Sequence, residues 1–449
     1  MSTIEKHDMT QGKILLPLVS FTIPLVLGNL FQLTYNAADS VIVGKYVGEQ
    51  ALAAVGTSTP IMNIAILLIS GMCMGASVLM SSQYGAKDYD TLSRQISTTM
   101  LAGCGFSVVF SLLMLLLANP VLRLIRVPET AIPESAAYLR IIFMGLIFTF
   151  MYNFLANTMR ALGDSKTPLY FLVTSAFLNI FGDLFFVVVL RWGVAGSAIA
   201  TVCSEGLCCL LCGIYIKKKI PLLCLGKKWW VFDKSLLGKT VSYGSTSAMQ
   251  QVCLQLGKLI IQSVVNTQGV AVMAAFTAVN RVDDFAYTPQ QNIGHAMTTF
   301  LAQNKGAGHK ERMKKGFQTG LLIELVYSIG LFCVIWGLAP QIMTLFAEDG
   351  DAQVVSLGIS YLHLISWMYI LPGLTNGVQG FFRGIGDLKV TLYSTFMNMF
   401  GRVVAVFVMI RLLQMEFASL AWANMVGWIV MLLFEVPLLV KSMRNGECG

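Results

Sequence analysis

Apolar residues run through this chain in long blocks separated by short polar stretches. A helix that crosses a bilayer needs about 20 mostly apolar residues. Blocks of that kind fall at 14–43, 52–80, 95–118, 134–157, 168–190 and 194–216, and again at 241–265, 272–302, 316–338, 354–378, 390–410 and 417–440. They predict an all-α integral membrane protein of twelve transmembrane helices, with a few spans long enough to be tilted or broken.

The polar stretches give an orientation. With residue 1 on the cytoplasmic side, the inside segments hold 22 Lys and Arg residues and the outside segments hold five. Basic residues accumulate on the cytoplasmic side, so both termini are expected there, in the cytoplasmic membrane of a bacterial cell. The most basic stretch, 217–240, reads as an interfacial cytoplasmic linker. It separates an N-terminal six-helix lobe, 1–216, from a C-terminal one, 241–440, which a cytoplasmic tail, 441–449, follows.

Composition strengthens this picture. Of 449 residues, 56% are hydrophobic and 12% charged, against about 25% charged in a soluble domain. The formal charge of +8 sits between apolar runs and not in a polar domain, so it points to a membrane and away from nucleic acid. The polar start, MSTIEKHDMTQGK, lacks the short apolar core of a removable signal peptide. The cysteines lie mostly inside apolar runs, as at Cys203, Cys208, Cys209 and Cys212, and suit packing better than disulfides or metal.

The two halves are diverged copies. Val47-Gly48 followed by Ala53-Ala54 recurs as Gln268-Gly269 followed by Ala274-Ala275. Gln83-Tyr84-Gly85-Ala86 matches Gln303-Asn304-Lys305-Gly306-Ala307 if one insertion is allowed. RxxGDxK occurs at Arg160–Lys166 and at Arg383–Lys389, each after the fourth span of its half. Asn179-Ile180-Phe181-Gly182 echoes Asn398-Met399-Phe400-Gly401. Six-helix repeats keep the same orientation, so the lobes are expected to be related by a pseudo-two-fold axis along the membrane normal, with sites near the midplane.

This 6+6 repeat, the first span with Pro24 and the ending AADSVIVG, the RxxGDxK loops, NIFGD and GVAGSAIAT together resemble the multidrug and toxic compound extrusion (MATE) family over essentially the whole chain. The resemblance implies two six-helix lobes that export cationic or amphipathic small molecules in exchange for H+ or Na+, by alternating access. It implies no other cofactor. No nucleotide-binding domain is present, so no ATPase partner is required, and a self-contained pathway suits a monomer.

Ionisable groups within a span are costly and default to function. Gly28, Gln32, Tyr35 and Asp39 share one helical face, with Pro24 one turn back as a candidate hinge. Asn179 and Asp183 share a face in span five, and Thr201 and Glu205 share one in span six. Hard oxygen ligands of this kind suit a small cation such as Na+, and two close carboxylates cannot both stay ionised cheaply in low dielectric. No Lys or Arg lies within these three spans to neutralise them. Family members of the N-lobe-coupled type carry carboxylates at positions matching Asp39 and Asp183, so the resemblance supports a cation-coupling set of Asp39, Asp183, Asn179 and Thr201, with a tyrosine matching Tyr138 nearby. Glu205 fits the substrate cavity, together with Gln32, Tyr35, Asn153, Asn157, Gln255, Arg281 and Gln291.

The C-terminal half departs from this pattern. Arg402 stands where the repeat places Asp183, and Gln251, Gln255, Lys258 and Gln262 form a stripe with a base where a cation site wants an acid. Span ten has no acid, so coupling is assigned to the N-lobe. Arg281 is expected to pair with Asp284 at i+3, while Glu324 and Glu435 are expected to reach an interface or a partner amide. Gly71 and Gly75 fit GxxxG and are read as packing within the lobe. A flippase for a lipid-linked precursor keeps the architecture, and Lys258, Arg281 and Arg402 keep that alternative open. An intramembrane enzyme finds no convergent catalytic set, and a channel finds no charged ring.

Overall fold

A computed structural model describes residues 8–125, 127–220, 230–346, 352–413, 417 and 419–444. Part of the linker, 221–229, and part of the tail, 445–449, lie outside them. The described residues form helices and short connections, with no strand among them. In chain order the helices are α1 Leu15–Tyr46, α2 Glu49–Gly85, α3 Tyr89–Leu124, α4 Ile132–Met144, α5 Leu146–Ala161, α6 Lys166–Asp183 and α7 Gly193–Lys219. The second set is α8 Lys234–Val265, α9 Val270–Gly306, α10 Lys310–Phe346, α11 Ala352–Ser366, α12 Ile370–Gly384, α13 Leu388–Phe407 and α14 Ser419–Arg444.

Two of the twelve passages are broken. The fourth bends by 46° between α4 and α5, at Gly145, where a Cβ would stand only 2.4 Å from the Val202 side chain of α7. The tenth breaks between α11 and α12 at a 3₁₀ turn, Trp367–Tyr369. Among the described residues nine helices are long and apolar enough to cross a membrane, or ten with the bent pair. The remaining passages are α8 and α9, with 32 and 37 residues. Their length suffices, but Gln251, Gln255, Lys258, Asn280, Arg281, Asp283 and Asp284 interrupt their apolar surface.

The repeat extends to backbone detail. Gly48 and Gly269 open the second helix of each half with φ 112° and 101°. Gly163 and Gly386, in the two RxxGDxK turns, have φ 90° and 85°. Such left-handed values cost a side chain far more than glycine. The fifth passage of each half continues into a π-helical segment, Leu184–Val189 after α6 and Val408–Leu412 after α13. Ala86 and Ala307 cap α2 and α9 identically, donating to the carbonyls of Ser82 and Tyr84 and of Gln303 and Lys305. That equivalence aligns Gly85-Ala86 with Gly306-Ala307 and needs no insertion. The Gln83 and Gln303 match suggested by residue identity is one position out of register.

Compactness divides the chain into two units, Met1–Asp8 with Ile23–Ala248, and Met9–Thr22 with Met249–Gly449. Each half therefore lends the start of its first helix to the unit formed mainly by the other half. In the first unit the core is built around Ile69, Phe143, Leu146, Phe150, Phe154 and Met159. The start of α8 packs on α2 so closely that a Cβ on Gly71 would meet Ala248 backbone at 2.6 Å, and one on Gly75 the Tyr243 carbonyl at 2.5 Å. The GxxxG spacing thus packs helices within one unit. Ahead of α8, Val231 and Asp233 dock on α3 through Ser97 and Thr98, and Arg94 pairs with Asp233 at 2.6 Å. In the second unit the core gathers Tyr361, Leu362, Ile365, Met368, Tyr369 and Ala421. Arg312 on α10 donates there to the carbonyls of Met9, Gln11 and Gly12.

Candidate functional site

In the first unit, α1, α6 and α7 bring carboxyls together. Asp39 lies near the end of α1, past the Pro24 position through which the helix continues. Asp183 ends α6, one residue before the π-helical segment, and is fully buried. The two carboxyls lie within hydrogen-bonding reach of each other. Ser197 on α7 donates to Asp39 Oδ1 at 2.7 Å. Asn179, one turn before Asp183 and 3% exposed, donates to Thr201 Oγ1 at 3.2 Å, and Thr201 donates on to the Ser197 carbonyl at 3.1 Å.

That arrangement fixes which atoms remain. The Asn179 NH2 group is turned to Thr201, and the Thr201 hydroxyl to a backbone carbonyl. Asn179 Oδ1 and both Asp183 oxygens are left buried without a donor among the described residues. No ion pair among the described residues involves Asp39 or Asp183. A buried cluster of acceptors with no cation is unfavourable unless it holds a proton or a small cation. The donor set fits either: a proton shared by two carboxyls, or Na+ on carboxylate, amide and hydroxyl oxygens.

Ser197 escapes a search for charge, yet it stands one turn before Thr201 on the face that also carries Glu205. Small residues are common in helix packing, so only its spacing marks it. Tyr138 is 3% exposed in the adjoining cluster with Val43, Val55, Val194 and Ala198. Its hydroxyl faces the Met62 sulfur at 3.9 Å.

The substrate-cavity candidates separate by unit. In the first, Thr149 donates to Glu205 Oε2 at 2.5 Å. Tyr35 lies near Gln32, Asp39 and Glu205. Asn153 and Asn157 return their NH2 groups to the carbonyls of Thr149 and Asn153, at 2.9 and 2.8 Å. In the second unit, Gln255 lines a cavity of about 250 Å³ with Lys258, Gln262, Asn280, Asp283, Asp284, Tyr287 and Arg402 among others. Arg281 and Gln291 are exposed on α9 and do not line it.

Two sequence expectations are corrected in this unit. Asp284 pairs with Lys258, 3.5 Å away on α8, and not with Arg281. The facing helix supplies a nearer cation than the Arg281 side chain on the same helix. Glu324 and Glu435 are 1% and 0% exposed, so the interface alternative fails for both, while Glu435 lies beside the Gln379 amide, with Ser394 and Arg383, as the other alternative expected. Asp283, one residue from the pair, accepts from Tyr369 at 2.6 Å and from Tyr361 at 3.2 Å, and Asn424 donates to the Tyr361 hydroxyl at 2.8 Å. Both tyrosines come from the broken tenth passage.

With this geometry in place, the chain can be set beside known proteins. The MatE family model matches residues 24–185 and 247–409, one match in each half. The "Probable multidrug resistance protein YpnP" of Bacillus subtilis is 32% identical over 87% of this chain and 86% of its own length. The "Probable multidrug resistance protein NorM" of Thermotoga maritima is 23% identical over 92% and 89%. Among solved structures, a MOP superfamily transporter from Pyrococcus furiosus superposes with a TM-score of 0.91 over 99% of each chain at 21% identity. An outward-facing multidrug resistance MATE family transporter gives 0.91 over 100% of this chain and 99% of its own, also at 21%. These likenesses carry the fold of twelve helices in two lobes, and the match in both halves together with the YpnP relationship means that the chain belongs to the MatE family of multidrug efflux transporters.

Proposed function

We propose that this protein is a secondary antiporter that exports cationic or amphipathic small molecules in exchange for H+ or Na+, with the exchanged ion taken at Asp39 and Asp183. The observation that carries this reading is the donor-poor pocket of Asp183 and Asn179 oxygens beside Asp39. In the mechanism, an entering ion neutralises the two carboxyls, and Asn179, Thr201 and Ser197 orient them. Neutralisation removes the repulsion between α1 and α6 and shifts the bend of α1 at Pro24. The packing around Tyr35 and Glu205 then changes, and substrate is released outside. One elementary charge moving down 100 mV supplies about 2.3 kcal/mol, enough for roughly fifty-fold accumulation of a neutral solute.

The test is efflux of ethidium and of a fluoroquinolone from proteoliposomes, with a pH gradient and a sodium gradient imposed one at a time. One gradient is expected to drive efflux, and Asp39→Asn and Asp183→Asn are each expected to abolish it while membrane insertion and substrate binding persist. Full efflux by both variants removes the coupling assignment.

A further inference from the structure

The second unit holds a charge-exchanged copy of the site in the first. Met62 and Asp283 each stand fourteen residues after the glycine that opens the second helix of their half, Gly48 or Gly269. Tyr138 and Tyr361 each stand twenty-two residues before the RxxGDxK arginine, Arg160 or Arg383. The contacts agree with this count: the Tyr138 hydroxyl faces Met62, and the Tyr361 hydroxyl donates to Asp283. By the NxFG motif, Arg402 matches Asp183. The acid has thus moved from the fifth helix of the repeat to the second, and a base stands in the place it left.

The spare bonding capacity in the resulting cavity lies with the bases. Both oxygens of Asp283 already accept from tyrosine hydroxyls. Among the described residues Arg402 Nε has no hydrogen-bond partner, and a guanidinium presents five N–H groups in a fork that matches a carboxylate. Lys258 touches Asp284 only loosely, at 3.5 Å, and both side chains are 56% exposed. Gln255, Gln262 and Asn280 add amide donors to the wall. A volume of about 250 Å³ is below the roughly 300–1,000 Å³ usual for a whole drug-sized ligand, so the cavity suits one polar group of a larger molecule.

We infer that this cavity is a carboxylate subsite, in which Arg402 and Lys258 take the anionic group of a carboxylated or zwitterionic substrate. Asp284, released from Lys258, is left to meet the substrate's amine. The inference rests on the efflux function proposed above and narrows its substrate class.

Binding to the purified full-length protein in lipid nanodiscs tests it, with three probes: a zwitterionic fluoroquinolone, its ethyl ester and ethidium. The wild-type protein is expected to bind the free acid more tightly than the ester. Lys258→Gln and Arg402→Gln should each weaken the acid roughly tenfold, as for a lost charge-assisted bond, and change the ester and ethidium less than twofold. Arg402→Lys should recover part of the loss. Equal binding of acid and ester by the wild type, or equal weakening of all three probes by Lys258→Gln, overturns the subsite. Either result stands even if the Arg402 variants do not fold. Retained gradient-driven ethidium efflux alongside such a result confines the failure to the subsite, whereas loss of all binding and efflux by the wild type removes the efflux reading as well.

Discussion

At the residue scale, the site in the first unit depends on where a few hydrogen atoms go. Ser197 donates a hydrogen bond to Asp39, Asn179 donates to Thr201, and Thr201 donates to the Ser197 carbonyl. Ser197→Ala should lower efflux about tenfold while leaving substrate binding within twofold, since a hydrogen bond to a charged group contributes about 1.5–3 kcal/mol; unchanged efflux would show that the serine only fills space. Outside the membrane, Asp88 caps α3 by accepting from the Thr91 amide at 3.1 Å. Its bonds to Thr91 hold its carboxyl below the usual aspartate range. A lowered value in the folded state contributes stability above the ordinary aspartate pKa, and that contribution is lost as pH falls through the folded value, below about pH 4. Asp88→Ala should therefore cost about 1 kcal/mol at neutral pH and less as the pH is lowered past that point, read from melting curves in detergent. Much of this chemistry is legible in the chain itself. Asp39, Asp183 and Asn179 stand out because polar groups are costly inside an apolar run, and spacing alone puts Asn179 beside Asp183. The partner of Asp284 was not legible, because pairing between α8 and α9 depends on how the two helices face each other and local spacing reports only neighbours on one helix.

Among the helices, close approach decides what each glycine tolerates. Gly75→Ala would push a methyl group into the Tyr243 carbonyl at 2.5 Å, and overpacking of this kind costs about 1–3 kcal/mol. Gly105→Ala on α3 meets nothing within 4 Å among the described residues and should be neutral or slightly stabilising, since alanine is the better helix former. A lower melting temperature for the first variant and an unchanged or higher one for the second is the expected pair of results. The run of apolar blocks foretells helices of membrane length, α8 and α9 among them despite their polar positions. The breaks at Gly145 and at Trp367–Tyr369, and the π-helical segments after Asp183 and Phe407, have no such signature. They follow from packing, as where Val202 leaves no room beside Gly145, and hydropathy carries no information about a neighbour's shape.

For the molecule as a whole, the imbalance of 22 basic residues against five predicts the side on which each connection lies. Single cysteines at Lys314 and at Arg123, placed in a cysteine-free background, should be labelled by an impermeant maleimide from opposite faces of the membrane; labelling from the same face would reject the orientation. The division of the chain also constrains synthesis. Met9, Gln11 and Gly12 are held by Arg312, separated from them in sequence by 303, 301 and 300 positions. Translation proceeds at about 5–20 residues per second, so roughly 15–60 s pass between the appearance of this segment and that of its anchor. Through that interval the Arg312 donors to Met9, Gln11 and Gly12 are missing, so this segment cannot take its native hydrogen bonds while the first half leaves the ribosome. The order of synthesis therefore makes the seating of this segment a late event, one that waits on the second half of the chain.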